Sequence, residues 1–551
     1  MARTRIPSKR GGRSAYAKLP IVNPGKGLNT LISDSLINDQ ESSSLDNIQF
    51  IESGAPSKAP GYEQLGDDLT NNPRGLGYFV DSNGTGSLLT VDGADLKKYN
   101  GSVWQTVSGV TFNTSSQINF SQARGKIYIW DGVGGGASYD GTTLTRPGTM
   151  PSAKFSIQYN GYHIAAGTNT QRSRVYISVL LDASDFTNDP AAVTTGEDPD
   201  NSTSVPGATV FSGTGSGSTI AYFVDVSKDD GDKITGFAKF ADVLIIFKEK
   251  SIFQLTFDST GVPVIEAVTK SYGCVSHRSI ENVDNDVFFL TRNGIYVLGN
   301  EPNYFNVIRT NELSARIHPM IESINANQYT KATGIFYSYQ YILGVPTGSN
   351  TANDMVITYD RRFLAFSKWT HVMPESFTTY IDSNNAEQLV FTSSNSAKIY
   401  QLTPSTYSAD GAAINATWSS KAYDLGDFSS YKRWIDVTLF FRQLSGQVTI
   451  EVLTDGGDVI RSASVSGLSS RGIGSDMWGG ELFGGSIETE ATTAASNTNN
   501  VPYRLKIGTK ARTIKLRISN DRNNENFALL GFVFTYRNYS HFVFPSALRI
   551  Q

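Results

Sequence analysis

Short apolar runs joined by polar turns recur along the chain from about residue 75 to residue 403. Residues 243–255 hold two apolar runs around a charged turn, and residues 287–298 repeat this arrangement around an Asn-Gly turn. The pattern predicts about seven β-hairpins. Because a lone hairpin is only marginally stable in water, the hairpins are expected to pack on one another.

The period of these hairpins is irregular but persistent, and their even distribution favours an all-β fold of the β-propeller type, with about six to seven blades of roughly 40–50 residues each. Radial repetition leaves only short, protected strand edges, and a chain of β-sandwiches is the alternative arrangement. The predicted propeller spans residues 34–411.

The pattern changes after about residue 404 to longer alternating strands. Val448, Ile450 and Val452 alternate with polar residues, and a similar alternation runs through residues 514–518. This period of two predicts strands with one buried and one wet face, and therefore a carboxy-terminal antiparallel β-sandwich domain over residues 412–551. The Gly-rich stretch 467–500 is predicted to be a loop.

Two segments interrupt the propeller pattern. Residues 183–232 are crowded with Asp, Thr, Ser, Gly and Pro, which predicts a projecting insertion. Leu313, Ile317, Ile321 and Ile324 fall near helical spacing, and Pro319 is expected to divide that short helical segment or to start a second turn there.

The first 33 residues hold seven Lys or Arg residues, three prolines and no acidic residue, which predicts an extended basic arm. Such an arm either docks on a neighbouring subunit or acidic partner, or is a solvated tail. The candidate partner-contact residues are Arg3, Arg5, Lys9, Arg10 and Arg13.

Composition agrees with a β-rich protein, since the 551 residues include 26 Tyr, 30 Phe and 51 Gly. A formal net charge of -4 argues against non-specific DNA storage. The one cysteine, Cys274, excludes an intrachain disulfide framework, and its apolar surroundings predict an inert packed thiol. Neither a secretory signal peptide nor a membrane-spanning stretch is predicted, so we expect a soluble protein assembled in a reducing cytoplasm.

The candidate chemistry is sparse, and no catalytic residue, cofactor site or metal site is predicted. The five histidines lack metal-ligand spacing, and no nucleophile elbow or phosphate loop is present. An acidic cluster lacks the calcium-loop spacing and is interpreted as a solvated turn. That cluster comprises Asp225, Asp229, Asp230 and Asp232.

Basic residues are dense near the carboxy terminus, and they are interpreted as the wet face of a sheet in preference to a contact with an acidic partner. They are Arg504, Lys506, Lys510, Arg512, Lys515 and Arg517.

Three stretches, taken together, resemble the tail nozzle family (tail hub, or tail tubular proteins) of short-tailed bacteriophages. The first runs from Leu31 to Tyr62 and ends in Lys-Ala-Pro-Gly-Tyr. The second runs from Gly273 through Ile280 to Ile295, and the third comprises residues 420–426 with 432–434. The resemblance covers most of the chain in order. The basic arm and the insertion 183–232 have no counterpart in the family pattern.

The resemblance implies a structural, non-enzymatic virion protein. Members of this family form a ring, usually of six subunits, below the adaptor of the portal, so the expected localisation is the virion tail. The implied partners are copies of itself in a homohexamer, the head-to-tail adaptor, and tail fibre or spike proteins. DNA is expected to leave through the lumen without specific binding. The alternatives are a receptor-binding tail fibre module and a propeller glycosidase or depolymerase that acts on host surface polysaccharide.

Overall fold

The computed structural model describes residues 16–51, 53–187, 221–228, 230–257, 263–300, 308–466 and 501–538. The protein is all-β, and the chain divides into two compact units. One unit combines Met1–Ala59 with Ala413–Gln551, and the other is Pro60–Ala412. The predicted arm residues 1–15, most of the predicted insertion (188–220) and the Gly-rich stretch 467–500 lie outside the described residues.

The unit Pro60–Ala412 contains six four-stranded antiparallel sheets, each made of four consecutive strands. Sheet 1 comprises β6 (Leu76–Val80), β7 (Gly86–Asp92), β8 (Asp95–Tyr99) and β9 (Trp104–Val107), and sheet 2 comprises β10 (Asn119–Ala123), β11 (Lys126–Trp130), β12 (Ala137–Tyr139) and β13 (Leu144–Thr145). Sheet 3 comprises β14 (Phe155–Tyr159), β15 (Tyr162–Ala166), β16 (Arg174–Ile177) and β17 (Tyr222–Asp225), and sheet 4 comprises β18 (Ile234–Phe240), β19 (Val243–Lys248), β20 (Ile252–Phe257) and β21 (Pro263–Thr269). Sheet 5 comprises β22 (Glu281–Val283), β23 (Asp286–Leu290), β24 (Ile295–Asn300) and β25 (Ile308–Glu312), and sheet 6 comprises β26 (Thr333–Tyr337), β27 (Gln340–Val345), β28 (Met355–Asp360) and β29 (Ala365–Trp369).

Sheet 7 draws strands from both ends of this part of the chain. Its order is β30 (Pro374–Ile381), β31 (Glu387–Ser393), β32 (Ile399–Thr403), β5 (Gly61–Gln64), β33 (Ser408–Ala409) and β34 (Ala412–Ala413). β5 pairs with β32 over four residues, from Gly61 opposite Thr403 to Gln64 opposite Tyr400. The Tyr62 ring packs against the rings of Phe391 and Tyr400 at centroid distances of 5.2 and 4.6 Å. The first strand of this unit is thereby hydrogen-bonded into the sheet that its last strands form.

The first strands of the seven sheets contact one another in a closed cycle. β6 contacts β10, β10 contacts β14, and the contacts continue through β18, β22 and β26 to β30, which contacts β6 again. Apolar clusters fill the spaces between neighbouring sheets, as where Ile164 and Val175 of sheet 3 pack with Leu244 and Ile246 of sheet 4. Where neighbouring sheets cover both faces of a middle strand, residues on both of its sides are buried, and every residue of β27 and β28 is buried.

The second unit consists of two sheets built from the two ends of the chain. Sheet A has the order β3 (Ile48–Phe50), β4 (Pro56–Lys58), β41 (Phe527–Asn538), β36 (Lys432–Leu444) and β39 (Val501–Ala511), and β1 (Ala17–Val22) also pairs with β41. Sheet B has the order β2 (Ser42–Asp46), β35 (Ala416–Ser420), β40 (Ile514–Asn520), β37 (Gln447–Thr454) and β38 (Val459–Ser466).

Aromatic rings form much of the core of this unit. Trp418 and Trp434 are fully buried and pack edge-on against Phe532 and Phe534, respectively. Lys58 is also fully buried, and its Nζ donates to Asn520 Oδ1 at 2.7 Å and to the Arg522 carbonyl at 2.8 Å. Burial lowers the pKa of Lys58 to about 8.

The amino-terminal boundary predicted at residue 34 is wrong. Strands β1 to β4 pair with carboxy-terminal strands or with each other, so the first 59 residues belong with the carboxy-terminal sheets. β1 was missed because an edge strand tolerates Pro20, and because its partner β41 lies some 500 residues away along the chain. At the other boundary, the structure divides the chain between Ala412 and Ala413, one residue from the predicted position.

The predicted insertion extends too far towards the carboxy terminus. Tyr222–Asp225 within it forms β17, which pairs with β16 and completes sheet 3. The short helical prediction is confirmed, since a 3₁₀ turn (Ser314–Ile317) leads into α1 (His318–Glu322), with Pro319 in the first turn of α1. Two further 3₁₀ segments are His277–Ser279 and Ala326–Lys331. None of the described helices is long and apolar enough to cross a bilayer.

Candidate functional site

A buried arginine lies where the first strands of several sheets meet. The 3₁₀ turn His277–Ser279 precedes β22 and positions Arg278, whose side chain is 9% exposed. Its Nε donates to Asn119 Oδ1 at 2.9 Å, and its two terminal nitrogens donate to the carbonyls of Glu375, Arg74 and Ile118 at 2.9, 2.7 and 2.6 Å. One side chain therefore connects sheet 5 to residues in or directly before sheets 1, 2 and 7.

The charge of Arg278 is compensated locally. Glu375 Oε1 lies 3.6 Å from Arg278 Nη1 and 3.5 Å from Lys331 Nζ. Burial lowers the pKa of the Arg278 guanidinium. Four hydrogen bonds and one carboxylate offset that loss of hydration, as a buried charge requires.

The segment around Arg278 is held on both sides. Tyr341 Oη donates to the Ser279 carbonyl at 2.6 Å, and Ser276 Oγ donates to the Ala332 carbonyl at 2.7 Å. Cys274 is buried, its Sγ donates to the Ser276 carbonyl at 3.1 Å, and burial raises its pKa to about 11. The prediction of a packed thiol is confirmed, and the raised pKa disfavours the thiolate form that reacts.

A cavity of about 270 Å³ lies beside Arg278, lined by residues of the first strands. Glu281, the first residue of β22, is half-buried and lines it, and burial raises the pKa of Glu281 to about 8. His277 also lines it and stacks on Phe155 with ring centroids 4.6 Å apart. Its Nδ1 is buried without a hydrogen-bond partner, and burial, reinforced by Arg278, lowers its pKa to about 4.

The raised pKa of Glu281 and the lowered pKa of His277 therefore both favour the uncharged form at neutral pH. A protonated Glu281 can donate a proton or a hydrogen bond into the cavity. Glu375, the nearby carboxylate, is committed to Arg278 and Lys331. Hydrolysis by two carboxylates needs a second free carboxyl group, which the described lining of this cavity does not supply beside Glu281.

The other described histidines are separate from one another. His163 is buried, with ring nitrogens 2.8 Å from Ser156 Oγ and 2.7 Å from the Ala183 carbonyl, and burial lowers its pKa to about 4. His318 lies 3.4 Å from Glu322, and His371 Nε2 lies 2.9 Å from the Pro60 carbonyl. His541 lies outside the described residues. Within the described ranges no group of three or more His, Cys, Asp or Glu side chains is placed to hold a metal ion.

The interpretation of the acidic cluster as a solvated turn is wrong for two of its members. Asp225 is buried and forms a bidentate pair with Arg174, with N–O distances of 2.7 and 2.9 Å. Asp232 is also buried and accepts from the backbone nitrogens of residues 249 and 250. Asp230 pairs with the fully buried Lys248 at 2.5 Å, and Asp229 lies outside the described residues. Donors distant in sequence account for this difference: the guanidinium of Arg174 for Asp225, and the backbone and hydroxyl groups of residues 249–251 for Asp232.

The candidate residues of the predicted arm, Arg3, Arg5, Lys9, Arg10 and Arg13, all lie outside the described residues. The carboxy-terminal basic residues divide between the two faces of their unit. Lys515 and Arg517 lie on β40 of sheet B, whereas Arg504, Lys506 and Lys510 lie on β39 of sheet A.

Sequence reasoning missed Arg278, Glu281 and Glu375. One feature of the sequence pointed to this site: Arg278 follows a histidine in a stretch flanked by apolar strands. A charged side chain that is buried there requires hydrogen-bond or ion-pair partners in the protein interior. Those partners are up to 204 residues away in the chain, so their identity was not readable from local pattern.

No protein-family model and no curated protein matches this chain. Solved structures that resemble it include the extracellular domain of a putative one-component system from B. thetaiotaomicron, with 10% identity over 68% of this chain and 43% of that chain, at a TM-score of 0.28. The extracellular domain of a putative hybrid two-component system from the same organism shares 9% identity over 87% of this chain and 62% of that chain, at a TM-score of 0.38. BBS1N, solved in complex with ARL6DN, shares 11% identity over 62% of this chain and 94% of that chain, at a TM-score of 0.35. This chain thus spans less than half of the first of these structures. At these TM-scores the likenesses carry no argument about function.

Proposed function

We propose that this protein is a structural, non-enzymatic subunit of a ring at the distal end of a short bacteriophage tail. In this proposal the seven sheets form a closed seven-bladed β-propeller, and sheets A and B form a β-sandwich. Six copies surround a channel through which the genome leaves. Neighbouring tail proteins, namely the adaptor and the fibres or spikes, attach to the ring.

The observation that carries a structural role is the tie between the first strands of the sheets. Their contacts run in a closed cycle, and Arg278 connects residues that lie in or directly before four of the sheets. A site built in this way resists the opening motions that a substrate cleft needs, because moving one sheet breaks several buried hydrogen bonds at once.

The three stretches that resemble the tail nozzle family contain residues that connect different sheets or complete a core. The first, residues 31–62, contains β2 to β5 and so takes part in both units. The second holds Arg278, and the third supplies Tyr423 and Trp434 to the core of the sandwich. A resemblance at these connecting residues supports the proposal that this chain shares the architecture of that family.

The proposed mechanism is passive. Head-to-tail contacts between different surfaces of identical subunits close into a ring when the rotation per subunit divides a circle. The ring holds the channel open or closed, and DNA passes through it without sequence-specific contacts. The basic arm, with Arg3, Arg5, Lys9, Arg10 and Arg13, is proposed to contact an acidic neighbour.

Electron microscopy of the purified full-length protein, alone and with its adaptor protein, tests the proposal. We expect closed rings, with six copies as the leading stoichiometry. Monomers under every condition would overturn the proposal, and threefold particles would favour the receptor-binding fibre module.

One observation favours a second candidate, a propeller glycosidase. Glu281 lines a cavity with its pKa raised to about 8, which suits a general acid. Incubation of the protein with host polysaccharide and a reducing-end assay tests this. Activity that Glu281→Gln abolishes would establish the enzyme, whereas no product from the unaltered protein would remove it.

A further inference from the structure

The face of sheet B that points away from the core forms a polar groove of about 490 Å³. Every described residue that lines this groove is polar, and these residues lie on or next to strands β2, β35, β37 and β40. On the opposite face of the same strands, Trp418, Ile450 and Ile518 are fully buried. Since alternate side chains of a strand point to opposite faces, sheet B has one apolar face and one polar face.

Small hydroxyl side chains form the floor of the groove, and they stand in register. Thr417 of β35 lies opposite Ser519 of β40, and Ser519 lies opposite Thr449 of β37. Ser419 follows Thr417 by two residues and therefore shares its face. Side chains opposite one another in antiparallel strands are about 4.5–5.5 Å apart at Cβ. We call Thr417, Ser419, Thr449 and Ser519 the hydroxyl floor.

The protein itself leaves the hydroxyl floor unused. In the described part of the chain, none of these four hydroxyl groups forms a hydrogen bond with another protein group. Ser419 is only 3% exposed, yet it lines the groove. Polar side chains at such depth normally have hydrogen-bond partners, and a hydroxyl group can both donate and accept. The hydroxyl floor therefore offers several neighbouring hydrogen-bonding groups to a molecule that enters the groove.

The charged residues of the groove balance one another. Arg517 of β40 pairs with Glu451 of β37 at 3.2 Å, and Lys515 of β40 pairs with Asp34 at 2.6 Å. Asp521 is the other acidic residue of the lining. Two basic and two acidic side chains thus line the groove, so its formal net charge is zero.

These properties do not match the surfaces that bind other classes of ligand. The centre of a protein–protein interface is rich in aromatic and other apolar side chains, whereas the described lining of this groove is polar throughout. Binding of nucleic acid requires an excess of Lys and Arg, and here the charges balance. A metal ion requires a group of ligating side chains, and the described residues contain no such group of His, Cys, Asp or Glu. The groove suits a neutral molecule that donates and accepts many hydrogen bonds.

We propose that this groove binds a neutral oligosaccharide, either free or as a segment of a neutral polysaccharide. Sugar hydroxyl groups donate and accept, as the hydroxyl floor does, and the planar groups of Arg517 and Glu451 can each engage two neighbouring hydroxyls. The row Ser44, Ser419, Arg517 and Glu451 crosses four strands. Three spacings of about 4.8 Å, or roughly 14 Å in all, accommodate an extended segment of a sugar chain. The inference goes beyond the proposed ring and does not depend on it.

Affinity electrophoresis of the full-length protein tests the proposal. The gels contain dextran, mannan or β-glucan as neutral polysaccharides, or alginate as an acidic one, each at low and high salt. The variant Thr417→Val with Thr449→Val removes two hydroxyl groups of the floor and keeps the branched shape of both side chains. The matched control is Thr438→Val with Thr535→Val, which makes the same change at half-buried positions of β36 and β41 in sheet A.

We expect at least one neutral polysaccharide to retard the unaltered protein and the control equally, at low and at high salt, because the groove carries no net charge. The floor variant should bind roughly tenfold more weakly, since two hydrogen bonds are lost. Absence of retardation by all three neutral polysaccharides would overturn the inference, as would equal retardation of the floor variant. Retardation by alginate alone, lost at high salt, would reveal a charge effect and would also overturn it.

Two further measurements keep the result decisive. Thermal melting shows whether each variant is folded, and if the floor variant is not, Ser519→Gln replaces it by filling the floor with a larger polar side chain. Glu281→Gln alters the cavity in the other unit and should leave retardation unchanged. Rings that no neutral polysaccharide retards would leave the proposed function standing and remove this inference. Retardation of a protein that forms no rings would do the reverse.

Discussion

At the scale of single residues, Arg278 is the residue whose replacement should lower the free energy of unfolding most. Its planar guanidinium donates to four acceptors, and an ammonium group cannot reproduce this set of hydrogen bonds. We expect Arg278→Lys to destabilise the seven-sheet unit by about 2–4 kcal/mol, because carbonyl groups and Glu375 lose their partners in a buried site. The shift in the urea midpoint, followed by circular dichroism, measures this. Arg124→Lys, at an exposed arginine outside the cycle, is the control and should stay within about 0.5 kcal/mol.

Glu281 should make stability depend on pH. Its pKa in the folded protein, about 8, lies above the ordinary value of 4.5, so the folded state holds a proton that the unfolded state releases between those values. The stability contribution is therefore fully present below about pH 4.5 and is lost as the pH rises towards about 8. Glu281→Gln stays neutral throughout, so it should gain stability relative to the unaltered protein as the pH rises.

Urea midpoints at about pH 5, 7 and 9 measure this difference, which should grow to the order of a few kcal/mol. His163 and His277, whose pKa values are lowered to about 4, act in the opposite direction but are present in both proteins and cancel. Parallel pH curves for the two proteins would show that Glu281 titrates normally. The exposed Glu387→Gln serves as the control and should leave the curve unchanged.

At the scale of elements, the sequence predicted hairpins correctly where both faces of a strand are buried. The runs at 243–247 and 287–290 fall within β19 and β23 because burial on both faces selects continuous apolar residues. β1 and β17 could not be predicted from the sequence, since short strands that contain Pro or Asp obtain their stability from partner strands distant in the chain. The same holds for the site around Arg278, whose side chain connects residues in or directly before four sheets.

The joint between β5 and sheet 7 depends on a close approach of two backbones. A Cβ at Gly61 would collide with the backbone of Ser408 on the neighbouring strand. We therefore expect Gly61→Ala to destabilise the seven-sheet unit by about 1–3 kcal/mol, because the outer strands of sheet 7 must move apart. Gly148→Ala is the matched control, since a Cβ there meets nothing within 4 Å, and it should be neutral or slightly stabilising. Equal melting temperatures for the two variants would mean that sheet 7 adapts without cost.

At the scale of the whole molecule, the cycle of sheets is closed by strands from opposite ends of a segment of about 350 residues. β5 precedes sheet 1 in the chain, yet it pairs with β32 in the last sheet, and β30 contacts β6. The repeating hairpins predicted the number of such sheets approximately, but not the strand that joins them. Closure is a long-range property, and local periodicity carries no information about it.

Charge is the other property of the whole molecule, and a row of basic residues across β39, β36 and β41 predicts a stability that depends on salt. Arg433 lies opposite two basic residues, so Arg433→Gln should stabilise the monomeric protein by about 0.2–1 kcal/mol at low salt, and the gain should shrink as salt screens the row. Melting of the sandwich unit at concentrations too low for assembly measures this. Arg461→Gln is the control, because Arg461 lies opposite the apolar Val452 and feels no such repulsion. A lower melting temperature of Arg433→Gln at every salt concentration would show instead that interactions of Arg433 within the folded protein outweigh the repulsion along the row.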